Sequence, residues 1–534
     1  MDVQCVSPPR ENRRRRLGMA VALAVASAVP FLPTLGNGFA GWDDTVNFLA
    51  NRDFRGLGAQ NMRWACTTYL MGVYQPLGWL IYEAEYVAWG LEPRGYHLVS
   101  IVFHAANALA LWALTCALLG RLRRLAGAPA ARGWSADVAS AAAVALFAAH
   151  PLRVEAVAWA SCQSYLPGIF FGIMSVAAYL SAFADGPIRA RPGWLVASWL
   201  LFALALLTKV AVIGLPFVLF ILDVYPLRRL GPGRWANPTA LKVYREKLAF
   251  LALAVPFMFA AVQARWPSEH RPAVALADLM PRLGQSAYGV WFYPIKTVFP
   301  YRLAASYPLP RRPRDYARWP FALSAAATVV VSVSAYRLRR RLPGLAVAWA
   351  CYLVCLAPSL GIIRTSRNIA ADRYSYVSSM PGVVVLAYAL TRIGPNSRGR
   401  RVAPIVTAFI LVALSSLSWR QSRTWRSTES LWVQCGSHSR PHHAAHLKAG
   451  IEKSQRGQIE GAKDHLLQAL TDIPESVPAL VHLGSIYWQE GRADEAEELW
   501  DRARSTQPDS IEATAGLEVI RAERKNELTR SRNP

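Results

Sequence analysis

The sequence predicts an all-α fold: a polytopic bundle of about eleven transmembrane spans, followed by a C-terminal α-solenoid of paired helices. Three observations carry that prediction. Of 534 residues, 53% are hydrophobic and the mean hydropathy is positive, which is too apolar for one ordinary soluble domain. Apolar stretches recur along the first four fifths of the chain, near the roughly 20 residues that a helix needs to cross a bilayer. Beyond residue 420 the composition turns polar and a 34-residue unit repeats.

The apolar stretches are 17–36, 97–119, 136–150, 166–184, 194–208, 210–224, 248–264, 319–336, 343–362, 376–392 and 402–419. Several are short, which implies tilting or local thinning of the bilayer. The net charge is +25, but the arginines punctuate apolar runs instead of forming one stripe. That pattern reads as positive-inside topology, not as a nucleic-acid surface. "RRRR" at 13–16 places the N-terminus inside, with residues 1–16 as a basic cytoplasmic tail. Alternating eleven spans then brings "RLRRLAGAPAAR" (121–132), "IRAR" (188–191), "RRLGPGRW" (228–235), "RLRRR" (337–341) and "NSRGRR" (396–401) to the same side. Residues 194–224 must form a hairpin that turns near Lys209. "LGQSAYGVWFYPIKTVFP" (283–300) would upset this count as a span, so it is expected as an interfacial or re-entrant helix in a long outer loop, which also carries "PRRPR" (310–314). "ALAVASAVP" resembles a signal-peptide end with a small-x-small site at Ala26–Ala28, though a retained first span is preferred.

In the polar region Gly450, Gly457, Ala462, Ala469 and Pro474 recur as Gly484, Gly491, Ala496, Ala503 and Pro508. The offset is the tetratricopeptide period, with small residues where paired helices cross. Trp488 and Trp500 are expected as packing residues, and the last segment as a capping helix. Three regions follow: the tail 1–16, a membrane domain 17–422, and a tetratricopeptide domain with its tail at 423–534 outside the membrane. Seven scattered cysteines contain no CxxC, so neither a zinc ribbon nor a disulfide framework is indicated. Cys351 and Cys355 share one helix face as a packed pair.

Polar residues that interrupt the apolar sequence fall on one predicted side. They are Asp43 and Asp44; "HPLRVEAVAWASCQS" from His150; Thr208 and Lys209; and "RTSRNIAADRYSY" from Arg364. A transporter concentrates ionisable groups near the bilayer midplane, where this chain has few beyond His104, itself expected as a satisfied core residue. Cations at the boundary suit a lipid phosphate, and a carboxylate there can take a proton from an attacking hydroxyl. Together they suit group transfer from a lipid-linked donor. Asp43 and Asp44 could instead cap a short helix, "Asp-Asp-Thr-Val-Asn-Phe-Leu". Adjacency has a chemical use as well, since a like-charged neighbour raises one of the two toward the range of a working base. Arg364 and Arg367 are weaker candidates, and Glu83 and Glu85 are expected on the exposed side of an interfacial helix.

These strings, in this order, resemble the transmembrane-and-TPR O-mannosyltransferases and their bacterial relatives, within the C-type superfamily of integral-membrane glycosyltransferases. "NGFAGWDDTVNFLANRDFRG" is similar to the family's first outer loop, and "YQPLGWLIYEAEYVAWGLEPRGYHLVSIVFHAANALAL" to its interfacial stretch and second span. "HPLRVEAVAWASCQSYLPGIFF", "LTKVAVIGLPFVLFILDVYPL" and "AADRYSYV" resemble its later segments. After "VAWAS" the family usually has an Arg or Lys and an Asp, where this chain has Cys162, Gln163, Ser164 and Tyr165. The tetratricopeptide array is short as well. The resemblance implies a glycosyltransferase of a bacterial plasma membrane that moves a hexose, mannose-like, from a polyprenyl-phosphate donor to a hydroxyl. Ser or Thr of an exported protein is the expected acceptor, and a protein partner could sit on the tetratricopeptide surface. Asp43 and Asp44 would be catalytic. His150, Glu155, Lys209, Asp372, Arg373 and Tyr374 would bind substrate. No metal and no cofactor beyond the donor is expected. The alternative is a non-catalytic membrane anchor that presents a tetratricopeptide scaffold.

Overall fold

In a computed structural model, about 80% of the described residues are helical. The structure describes residues 10–125, 127, 135–184, 186, 190–264, 279–310, 315–316, 318–361, 368–393, 398–438 and 443–532. It divides into two units: Met1–Phe39 with Asp43–Arg423, and Ala40–Trp42 with Thr424–Pro534.

The first unit begins with α1 (Arg10–Ala28), α2 (Ala59–Thr67), α3 (Pro76–Trp89), α4 (Pro93–Leu125) and α5 (Ala136–Ala148). It continues with α6 (Val154–Ala158), α7 (Tyr165–Ala182), α8 (Pro192–Thr208), α9 (Leu215–Val224), α10 (Pro238–Gln263) and α11 (Leu279–Val298). After strand β1 (Tyr307–Pro308) come α12 (Trp319–Leu338) and α13 (Pro343–Leu356), then β2 (Asn368–Ala370), α14 (Ser375–Ser378), α15 (Met380–Thr391) and α16 (Arg398–Ser422). The antiparallel β1–β2 pair departs from a purely helical fold.

By length and composition, six described helical segments can cross a membrane: Arg13–Gly36, Pro93–Leu125, Ala160–Ala182, Pro238–Gln263, Trp319–Leu338 and Arg401–Trp425. A seventh forms if Ala136–Ala148 and Pro151–Ala158, bent by 62°, act as one span. The other four predicted stretches are shorter apolar helices, Pro192–Thr208, Val210–Val224, Pro343–Ser359 and Met380–Thr391. Every apolar stretch is therefore helical, and six to seven of the eleven have spanning length. Helix α11 is not among the candidate spans. Leu323, Val329 and Val330 on α12, and Ile405, Phe409 and Val412 on α16, are exposed. So continuous an apolar surface is stable only in lipid, as expected of an integral membrane protein.

Local chemistry sets the breaks. Pro151 has no N–H to continue α5, and His150 caps the next turn by accepting from Leu152 N at 3.1 Å. The 194–224 hairpin opens at Lys209, which closes α8 with extended backbone. Asn237 caps α10 through Ala240 N at 2.8 Å, with Pro238 at the first helical position. A closed polar knot ties α7, α9 and α10. Arg229 reaches Asp223 at 3.0 Å and Glu246 at 2.7 Å, Lys247 reaches Asp223 at 2.7 Å, and Tyr179 donates to Asp223 at 2.8 Å.

The second unit holds α17 (Thr428–His438), α18 (His443–Gln455), α19 (Ile459–Asp472), α20 (Val477–Gln489), α21 (Ala493–Thr506) and α22 (Ile511–Arg532). Helices α18 and α19 pair, as do α20 and α21. A Cβ on Gly450 would lie 2.8 Å from Leu466, and one on Gly484 would lie 2.6 Å from Trp500, so small residues let these helices cross. Gly457 and Gly491 turn between paired helices at φ 75° and 78°. Trp500 is buried with Leu466, Leu483, Ile486 and Leu517, the packing role expected of it. Within this unit Trp42 stacks on Trp432, with centroids 4.7 Å apart and planes 6° from parallel.

Candidate functional site

The turn Ala160–Tyr165, between α6 and α7, is the hub of a polar cluster in the first unit. Ser161 offers its backbone N–H to Asp44 at 2.9 Å and its hydroxyl to the same carboxylate oxygen. Asn47 donates to the Ser161 hydroxyl at 2.9 Å. Asp44 is 1% exposed and makes no capping bond to the helical turn Thr45–Leu49 that follows it. Its partner is thus a distant turn, not its own helix. Asp43 beside it is only partly buried.

Cys162 sits where the predicted segments meet. Its thiol lies within electrostatic reach of Arg373, Glu155, Lys209 and Asp43. Lys209 donates to Gln75 Oε1 at 2.7 Å and lies 5.2 Å from the Tyr165 ring centre. Gln75 also accepts from Ser164 Oγ at 3.1 Å. Glu155 grips Arg373 twice, accepting from the backbone N–H at 2.7 Å and from the guanidinium. That guanidinium lies over the rings of Tyr374 (4.8 Å) and Trp159 (5.4 Å). Burial opposes the Arg373 charge most strongly of any single influence, but Glu155, Tyr374, Tyr165 and Cys162 together outweigh it and hold the group well above its ordinary value. Its cation is therefore fixed in both charge and direction.

Asp372 is buried and accepts from Tyr307 at 2.9 Å, across the β1–β2 pair. Burial first, and then the neighbouring Glu155, push its carboxyl well above the usual range. Lys296 and Arg153 oppose that rise. His150 is engaged at both ring nitrogens by backbone, Leu152 N at one and Thr297 O at 3.1 Å at the other. It shapes the α5–α6 break and is not among the groups around Cys162. His104 is satisfied as a core residue, bonded to Tyr376 at 2.7 Å and to Ala148 O at 3.1 Å. Arg364 and Arg367 lie outside the described residues. Among the described residues no group of three or more His, Cys, Asp or Glu side chains could hold a metal ion.

One expectation is corrected. Glu83 and Glu85 are not on an exposed face of α3 but 0% and 3% exposed. Neighbouring segments cover the helix: Tyr82 donates to Ala160 O at 3.0 Å, and Gly78 lies against Thr208 and Ser164. Residues absent from the sequence-based site are Ser161, Gln75, Tyr165, Tyr307 and Arg153. The last is 1% exposed, with its guanidinium 4.4 Å from the Phe147 ring centre. Ser161, Gln75, Tyr165 and Tyr307 each acquire a role from a partner far along the chain, which no local signal marks.

The fold and site define an integral membrane protein whose acids and cations, from four separate segments, gather around one turn. A tetratricopeptide-repeat family profile matches residues 454–518. The chain is 22% identical to the protein O-mannosyl-transferase TMTC3 of Mus musculus, over 82% of this chain and 48% of that protein. It is 23% identical to Tmtc3 of Drosophila melanogaster, over 82% of this chain and 52% of that protein. A shorter segment, 28% of this chain and 17% of the relative, is 33% identical to Drosophila melanogaster Tmtc1. The resemblance read from the sequence motifs is thus borne out, and the chain spans about half the length of the curated relatives it matches. Among solved structures it is similar to ArnT from Cupriavidus metallidurans bound to undecaprenyl phosphate, covering 96% of this chain and 88% of that one. At 14% identity and a TM-score of 0.36, that likeness carries no weight.

Proposed function

We propose that this chain is a membrane glycosyltransferase that moves a hexose, mannose-like, from a polyprenyl-phosphate donor to a hydroxyl acceptor. Ser or Thr of an exported protein is the acceptor class this reading favours, with the tetratricopeptide unit receiving that protein. The reaction faces outward from a bacterial plasma membrane, with the N-terminus cytoplasmic and the C-terminal unit on the outer side. The observation that carries the reading is that the Trp159–Tyr165 stretch meets Asp44 at Ser161, the Glu155-bound Arg373 at Trp159 and Lys209 at Tyr165, from segments more than 300 residues apart at the extremes. Relatives named as protein O-mannosyl-transferases support it.

Asp43 is the base and Asp44, held by Ser161, orients it. The acceptor O–H proton passes to the Asp43 carboxylate as the oxygen attacks the anomeric carbon. The bond from that carbon to the donor phosphate breaks, and polyprenyl phosphate leaves with the electron pair. Arg373 and Lys209 stabilise the charge on the leaving phosphate. A single displacement inverts the anomeric configuration and needs no cofactor beyond the donor. The test is transfer of labelled hexose by the purified full chain in proteoliposomes, from a defined polyprenyl-phosphate donor to acceptor peptides. A product with inverted configuration supports the reading. A protein that binds partners through its second unit and transfers nothing would be the membrane-anchored scaffold instead.

A further inference from the structure

Two buried carboxyl groups on α3 take no part in the mechanism above. Glu85 faces the hub: Gln163, itself 0% exposed, donates from its side-chain nitrogen to Glu85 Oε1. The remaining oxygens of the pair, Glu85 Oε2 and Gln163 Oε1, are both buried without a hydrogen-bond partner among the described residues. Two acceptors left without a donor in a dry pocket are costly. An ionised Glu85 would add an uncompensated charge, because the groups around it supply no cation. The titratable groups that sense Glu85 are Tyr82 on its own helix and Tyr96 on α4. Arg55, which acts on Tyr96, is engaged by the carbonyls of Asn51 and Leu49. Glu83, two residues away, has both oxygens buried and unpartnered.

One proton resolves the local conflict. Placed on Glu85 Oε2, it turns the side chain into a carboxylic acid that can donate to Gln163 Oε1 while still accepting from Gln163 Nε2. We infer that Glu85 works as a neutral acid, a positioning residue that fastens the Ala160–Tyr165 turn through Gln163. The turn sets Ser161 against Asp44, Cys162 among the charged groups, and Ser164 against the Gln75 that holds Lys209. Losing the Glu85 proton would therefore loosen the base and a phosphate ligand together. Burial supports the assignment, pushing Glu85 up to about 8 and Glu83 up to about 7. As a device that serves transfer, the acid–amide clasp rests on the proposed function. As a property of the fold, it does not.

The sign follows from the raised value. An unfolded glutamate titrates near 4.5, so the clasp's contribution is complete below that pH and is lost as pH rises through about 8. The test uses the full chain in nanodiscs, with three readouts. Infrared spectra at pH 7 should show protonated-carboxyl C=O absorption, to which Asp372 and Glu83 also contribute, with one component that Glu85→Gln removes and that Gln163→Arg also removes by ionising the acid. The melting temperature should fall between pH 6 and 9 in the parent, and Glu85→Gln should flatten that slope more than Glu83→Gln does. Where transfer is measurable, kcat should drop above pH 8 in the parent and hold in Glu85→Gln. The inference is overturned if Glu85→Gln leaves the infrared band and the melting slope unchanged, or if Glu83→Gln alone removes the slope. Neither of the first two readouts needs sugar transfer, so failure of the clasp and failure of the proposed function are separable.

Discussion

Two buried polar clusters lie in the same unit, and they are built differently. The knot of Tyr179, Asp223, Arg229, Glu246 and Lys247 is closed: two carboxylates face two cations, and a phenol links them. Its charges sum to zero and every acid meets a base. The hub around Cys162 is arranged otherwise. Asp43 adjoins Asp44, Asp372 adjoins Glu155, and neutral amides hold Lys209 and Glu85. Both are polar and buried, so burial alone does not mark function. The difference is one of reach: the knot draws on one stretch of the chain, residues 179–247, whereas the hub joins side chains from four segments more than 300 residues apart at the extremes.

That contrast can be broken by substitution. The largest effect should come from the knot. Arg229→Met removes one cation and leaves Asp223 and Glu246 short of a partner, an imbalance of about 3–5 kcal/mol in stability. The measurement is the melting of the nanodisc-embedded chain, and transfer per folded molecule should stay unchanged. Next, Arg373→Ala should raise the apparent KM for the donor by roughly tenfold to a hundredfold, since a charge-assisted bond contributes about 1.5–3 kcal/mol. The folded fraction should fall less than in Arg229→Met, and donor titration separates the two. Ser161→Ala leaves Asp44 without one of its two bonds from Ser161 and should lower kcat by roughly fivefold to tenfold, about 1 to 1.5 kcal/mol, with KM unmoved. The smallest effect should be Gly491→Ala, which forces a Cβ into a left-handed turn at φ 78°. It should cost about 1 kcal/mol in the second unit, read as a lower melting temperature for that unit with the chemistry of the first untouched.

Much of this architecture is legible along the chain because its causes are local. Pro151 breaks α5 wherever it sits, Lys209 interrupts an apolar run, and Gly457 and Gly491 fall one repeat apart with the same positive φ. The site was legible only as four strings. What joins them is not written locally: Asp44 meets Ser161 across 117 residues, and Arg373 meets Glu155 across 218. The misplacement of Glu83 and Glu85 has the same origin. Two acids on an interfacial helix read as a solvated face, and the segments packed over α3, among them α2, α8 and the Ala160–Tyr165 turn, are what bury it. Span length was the other obscure feature, because four apolar stretches fold as helices of only 10–17 residues.

On the proposed mechanism the aspartate pair performs chemistry rather than capping a helix. Asp43→Asn and Asp44→Asn preserve size and most hydrogen bonding while removing the base. Hexose transfer from a polyprenyl-phosphate donor should be measured in proteoliposomes at matched membrane abundance. At least one variant should lose about 10²–10⁴-fold in kcat while donor binding survives, the span that general-base catalysis contributes. Wild-type rates in both variants would rule out general-base catalysis by either aspartate and leave the carboxylates as structural groups.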